Sequence, residues 1–186
     1  MLETNLQALR IDLAKRSRWN IGYFGAGLIF WLHATAIGAF VPLELARIYW
    51  LVGSFFIFPM AILLSRIIGA DPFTKGNSLA DLVGYTHMSV IALTFPILMA
   101  AFLYFPQALV FVMAIAYCLD FYVMTWAFGS RLFGLHAAFR VITVSVIWFA
   151  LPDGRTTVLP ATVAVAYLVT VILLPALRRR WLVANA

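Results

Sequence analysis

The residues with chemistry to offer stand inside apolar runs. Asp120 is the charged residue of the run Ala108 to Phe128, and Arg140 is that of the run Leu132 to Leu151. A charge at the centre of an apolar span costs about 2.5–3.5 kcal/mol on insertion scales, so each must find a partner or a wet cavity. Asp120 is eight residues from Phe128 and Arg140 is eight from Leu132. At the helical rise both lie about 12 Å from the same boundary. Matched depth on consecutive antiparallel helices predicts an ion pair between them.

Polar neighbours extend this pair into a seam between the fourth and fifth apolar segments. Tyr117 precedes Asp120 by three residues, while His136 and Thr143 flank Arg140 at i−4 and i+3, which are same-face helical spacings. His87 enters the third segment near the same end, with Thr94 two turns along. His33 lies in the first segment behind Gly22 and Ala26, whose small-residue spacing suits close helix packing.

Three kinds of chemistry fit Asp120, Arg140, His136, Tyr117, Thr143 and His87. The first is transport of a small molecule or ion, with Arg140 holding an anionic group or Asp120 exchanging a proton and histidines titrating near neutral pH. The second is a structural or interaction role, in which a buried Asp–Arg pair only fixes helix register. The third is membrane-embedded catalysis or haem or metal binding by His87 and His136. No His-Glu-x-x-His, Gly-x-Ser-x-Gly, phosphate-binding glycine loop or cysteine pair supports the third. The expectation is therefore no cofactor and no catalytic residue.

The elements that position these residues follow from composition. Hydrophobic residues make up 65% and charged residues 11% of the chain, against roughly half and a quarter in soluble domains. Lipid, not water, is the matching solvent. The charge of +6 lies at the edges of apolar blocks instead of along one stripe, which argues against nucleic acid as a partner and for a lipid bilayer. The lone cysteine, Cys118, excludes an intrachain disulfide.

Runs long enough to cross about 30 Å of hydrocarbon number six: Asn20 to Val41, Ile48 to Ile68, Gly84 to Phe105, Ala108 to Phe128, Leu132 to Leu151 and Leu159 to Leu177. The fold class expected is all-α, a six-span helical bundle forming one domain over residues 1–186, with a homo-oligomer left open. The first run follows basic residues and contains Ala34-Thr-Ala36, the pattern of a cleaved signal. Its span length and long preceding region favour a retained helix.

Leu2, Leu6, Leu9 and Leu13 recur at helical spacing beside Arg10, Lys15 and Arg16, and Thr4 with Gln7 has capping-box spacing. This predicts a helix lying on the membrane surface. Between the second and third runs, Gly76 and Asn77 suit positive φ, and Ser78 stands three residues before Asp81 as a helix cap does. Tyr49, Trp50, Tyr104 and Trp181 fall at expected interfaces. The Pro-containing second run ending Leu63-Leu-Ser-Arg66, followed by Phe73-Thr-Lys-Gly-Asn77, resembles a family of small, uncharacterised bacterial multi-pass membrane proteins over about the first half of the chain. That resemblance implies a bacterial inner-membrane setting and transfers no chemistry.

Placing both termini in the cytoplasm puts ten Lys and Arg residues inside and only Arg47 and Arg155 outside, as the positive-inside rule requires. A reporter fused after Ala186 is expected to work only as a cytoplasmic reporter. Robust periplasmic activity would overturn the six-span topology.

Overall fold

In hydrocarbon a chain can satisfy its backbone groups only as helices or closed barrels, and long apolar runs without strand periodicity leave helices. The computed structural model describes residues 2–185, with side chains from Asn5 onward, and among them it is helical without a strand. The helices are α1 (Leu2–Arg16), α2 (Ile21–Phe40), α3 (Leu43–Phe55), α4 (Ile57–Ile67), α5 (Ser78–Tyr104), α6 (Leu109–Ala116), α7 (Phe121–Phe128), α8 (Arg131–Ala150) and α9 (Val158–Asn185).

Five stretches are long and apolar enough to cross a membrane: Arg18–Phe40, Ser78–Tyr104, Pro106–Phe128, Arg131–Ala150 and Val158–Asn185. A sixth follows if α3 and α4, bent by 45° at Phe56, count as one span. The bend has a local cause. Pro59 lacks an N–H, and its ring collides with the carbonyl of Phe55 four residues back.

The central helix is α2, with α4 and α9 packed against it. Gly22 permits the approach of α4, because a Cβ there would lie 2.7 Å from the Ser65 backbone nitrogen. Helix α5 packs instead against α6, α7 and α1. Helices α4 and α5 consequently face each other across space.

Both termini meet at one end of the bundle. Helix α1 lies across that end, with Leu13 and Ala14 buried and Leu6 and Leu9 packed on the core. Its leucines therefore pack on the bundle; the side chains of Leu2 and Thr4 fall outside the described residues. Helix α1 already runs at Leu2, so no capping box starts at Thr4. Gln7 instead bonds Asn185 at 2.7 Å. Helix α9 continues eight residues beyond the apolar run, and Arg178 caps α1 by donating to the Ala14 carbonyl at 3.1 Å.

The loop 71–77 is latched to the same helix. Arg16 meets Asp71 at 2.8 Å, while Asp71 accepts from the Phe73 and Thr74 amides. Partial burial opposes ionisation of Asp71, but the guanidinium and those two amides together hold its carboxyl below the usual range. The cap of α5 is Asn77 and not Ser78: its Oδ1 accepts from the Leu79 and Ala80 amides, and its Nδ2 reaches Asp12 at 2.8 Å. Gly76 has the expected positive φ of 83°, whereas Asn77 is extended and Thr74 is the second left-handed residue.

Trp50 is not an interfacial ring as its position in the sequence led one to expect. Trp50 is fully buried and donates to the Ala34 carbonyl at 3.0 Å, so it ties α3 to α2. Because Gly22 sits against backbone that no rotamer change can move, Gly22→Ala is expected to destabilise the protein by about 1–3 kcal/mol, the range for overpacking. A thermal melt in detergent checks this; an unchanged midpoint would contradict the close α2–α4 contact.

Candidate functional site

The fourth span is broken where the candidate residues lie. Between α6 and α7 the residues Tyr117 to Asp120 follow a tighter turn: Cys118 and Leu119 donate to Ile115 and Ala116, three residues back. Such a break frees carbonyls at the end of α6 and amides at the start of α7. Non-helical backbone at membrane depth survives only where protein or a cavity receives it.

Charge is placed to match the two half-helices. Arg140, fully buried on α8, directs Nη2 at the Met113 carbonyl of α6 (3.4 Å), a cation at a helix C-terminus. Asp120 stands at the head of α7, a carboxylate at a helix N-terminus. Arg140 also donates from Nη1 to the Tyr167 hydroxyl at 2.9 Å and lies over the Trp31 ring at 5.0 Å. Gly27 makes room for this arrangement: a Cβ there would lie 2.7 Å from Tyr167 Cζ.

The expected Asp120–Arg140 ion pair does not form. The partner of Asp120 is His87 on α5, with Nδ1 2.8 Å from Oδ2, and among the described residues no carboxylate lies within 4.0 Å of Arg140. Equal distance from the span ends in sequence fixes no azimuth. The turn at 117–120 re-phases α7 relative to α6 and aims Asp120 toward α5.

The seam between the fourth and fifth spans likewise divides. His136 is buried, bonded through Nδ1 to Thr170 on α9 at 2.7 Å, and boxed by Phe24, Phe121 and Tyr167. Thr143 bonds the Phe139 carbonyl of its own helix, and Thr94 does the same with Val90. Neither threonine joins the site. His33 is exposed on another face of α2, in a shallow recess beside the α3–α4 bend. Tyr167, Thr170 and Trp31 are the partners that sequence spacing did not single out.

His87, Asp120 and Tyr117 line a cavity of about 730 Å³ between α4 and α5. Its back wall is α2 with Phe24, Gly27 and Trp31, and its floor includes Phe121 and Tyr167. Phe55, Phe58, Tyr85 and Met88 are exposed lips along the sides, and Pro72 to Lys75 border it at the end bearing the termini. Asp120 is only 3% exposed, yet its Oδ1 has no hydrogen-bond partner. A buried carboxylate oxygen left free at a cavity wall is a site for a donor from outside the chain. His136 stays behind Phe121 and Tyr167, so the two histidines do not converge on one ligand position.

The sequence matches the family of unknown function DUF7010 over residues 6–176, and the chain belongs to that family. The match runs well beyond the first half of the chain. No curated protein and no solved structure matches it.

Tyr167→Phe removes the hydroxyl that accepts from the buried guanidinium while keeping the ring. It is expected to lower stability by about 1.5–3 kcal/mol, the scale of a hydrogen bond to a charged group. Thermal or denaturant unfolding in detergent measures this, and a loss below about 0.5 kcal/mol would show that Arg140 does not depend on Tyr167.

Proposed function

We propose that this DUF7010 member is a small carrier in a bacterial inner membrane, with both termini cytoplasmic, that takes an amphipathic small molecule into the α4–α5 cavity. The observation that supports this best is the joining of a largely apolar cavity to one deep polar end, the His87–Asp120 pair. Ligand sites of a few hundred Å³ lined by rings, with a few convergent polar groups, are the usual form of small-molecule pockets. Discontinuous helices whose ends face a site near mid-membrane are a recurrent feature of carriers. The ten-to-two distribution of Lys and Arg supports the orientation.

In this reading the apolar part of the ligand enters between the lips of α4 and α5, and its polar part reaches Asp120 Oδ1. His87, 29% exposed on its side chain, connects the carboxylate to the open cavity. The loop 71–77, latched to α1, borders the cytoplasmic mouth. Helix α5, tied mainly to α6, α7 and α1, is the element whose movement relative to α4 would expose the site to the other face.

A carrier must show its site to both sides of the membrane in turn. Gly84→Cys places a thiol near the mouth, where a Cβ meets nothing within 4 Å, and Leu98→Cys places one on the buried far wall. Wild type, whose lone Cys118 is buried, is the control. A membrane-impermeant maleimide is expected to label Gly84→Cys only in inside-out vesicles and Leu98→Cys only in right-side-out vesicles. Labelling of Leu98→Cys from neither face would overturn the carrier reading.

A further inference from the structure

Resting on the carrier reading, we infer that the cavity is built for a lipophilic organic cation, an aromatic or alkyl body bearing one positive charge, held by Asp120. The sign of the charge follows from which groups reach the cavity and which do not. Asp120 lines it and has Oδ1 free of any bond within the described residues. With a neutral imidazole donating to Oδ2, the His87–Asp120 pair carries one negative charge at the deep end of an apolar chamber.

The neighbouring positive charge is turned away. Arg140 does not line the cavity; it lies behind Tyr167 and Trp31, 5.3 Å and 5.0 Å from their ring centres, and its Nη groups are committed to the Tyr167 hydroxyl and the Met113 carbonyl. An anionic ligand would therefore meet a carboxylate before it met a guanidinium. A cation meets the carboxylate and the π faces of Tyr23, Phe24, Phe58, Phe95 and Phe121, which line the chamber. Rings attract a desolvated cation, and more strongly where water is excluded. A neutral apolar molecule would fill the space but leave Asp120 Oδ1 without a donor, which is the costly outcome for a buried polar atom.

The test uses two probes that are alike in shape and opposite in charge, tetraphenylphosphonium and tetraphenylborate, titrated calorimetrically into the purified full-length protein in detergent at pH 8. The expected result is saturable binding of the phosphonium, weakened by about tenfold or more in Asp120→Asn, the effect of losing an interaction with a charged group. The borate should show no Asp120-dependent binding. Gly84→Trp, which fills the chamber from a position with open space around it, should abolish phosphonium binding without touching the carboxylate. Tighter binding of the borate, or phosphonium binding indifferent to both Asp120→Asn and Gly84→Trp, would overturn the cation assignment. Because these are binding measurements on one state, they can fail while two-sided labelling succeeds, and the reverse.

Discussion

An arginine with no exposed surface inside an apolar bundle has to be satisfied by whatever surrounds it, and the surroundings of Arg140 organise the rest of the site. The guanidinium receives no carboxylate. It is held by the Tyr167 hydroxyl, the Met113 carbonyl and two aromatic faces. The Met113 carbonyl also accepts the Tyr117 amide at 3.0 Å, so the guanidinium shares the last i→i+4 acceptor before the tighter turn begins. The tight turn at Tyr117 to Asp120 follows directly on that contact. Its consequence is the placement of Asp120 at the head of α7, turned toward α5.

That placement explains why a cavity persists in so apolar a molecule. Close packing is available where small residues line a contact, as Gly22 does between α2 and α4 and Gly27 does beneath Tyr167. Large exposed side chains, Phe55 and Phe58 beside the α3–α4 bend and Tyr85 and Met88 on α5, instead form the lips of the gap between α4 and α5. The His87–Asp120 contact ties α5 to the fourth span at depth, while Asn77 and the Arg16–Asp71 latch tie its near end to α1. Helix α5 is therefore anchored on one flank and free on the other.

The spans themselves were legible, because hydrophobic length carries their signal. Five of the six apolar runs correspond to stretches long enough to cross a membrane, and the sixth to the bent α3–α4 pair whose Pro59 was visible. The residue types of the site were legible too, since buried charge is rare in lipid and Asp120, Arg140, His87 and Tyr117 all mark the region. Their pairing was not. The turn at Tyr117-Cys-Leu-Asp120 contains neither proline nor glycine, so nothing in the run announces that the helical phase is lost there. Extrapolating a straight helix matched Asp120 to Arg140 by depth and missed His87. Tyr167 gave a fainter signal, a hydroxyl in the middle of the sixth run, whose partner only the fold reveals. At the chain ends, leucine spacing found α1 but not what its apolar face covers, because periodicity says which face is apolar and not which surface it meets.

Whether Arg140 supports the tight turn of the fourth span is tested most directly by amide hydrogen exchange across residues 113–124 in wild type and Arg140→Met. Methionine retains much of the apolar stem while removing the guanidinium. The expected result is a change in protection concentrated at Met113 to Phe121, either faster exchange as the unsupported turn loosens or slower exchange as the helix closes through it, with α2 and α4 protection retained. Exchange in that stretch identical to wild type would contradict it, since the break would then stand without the charge said to hold it.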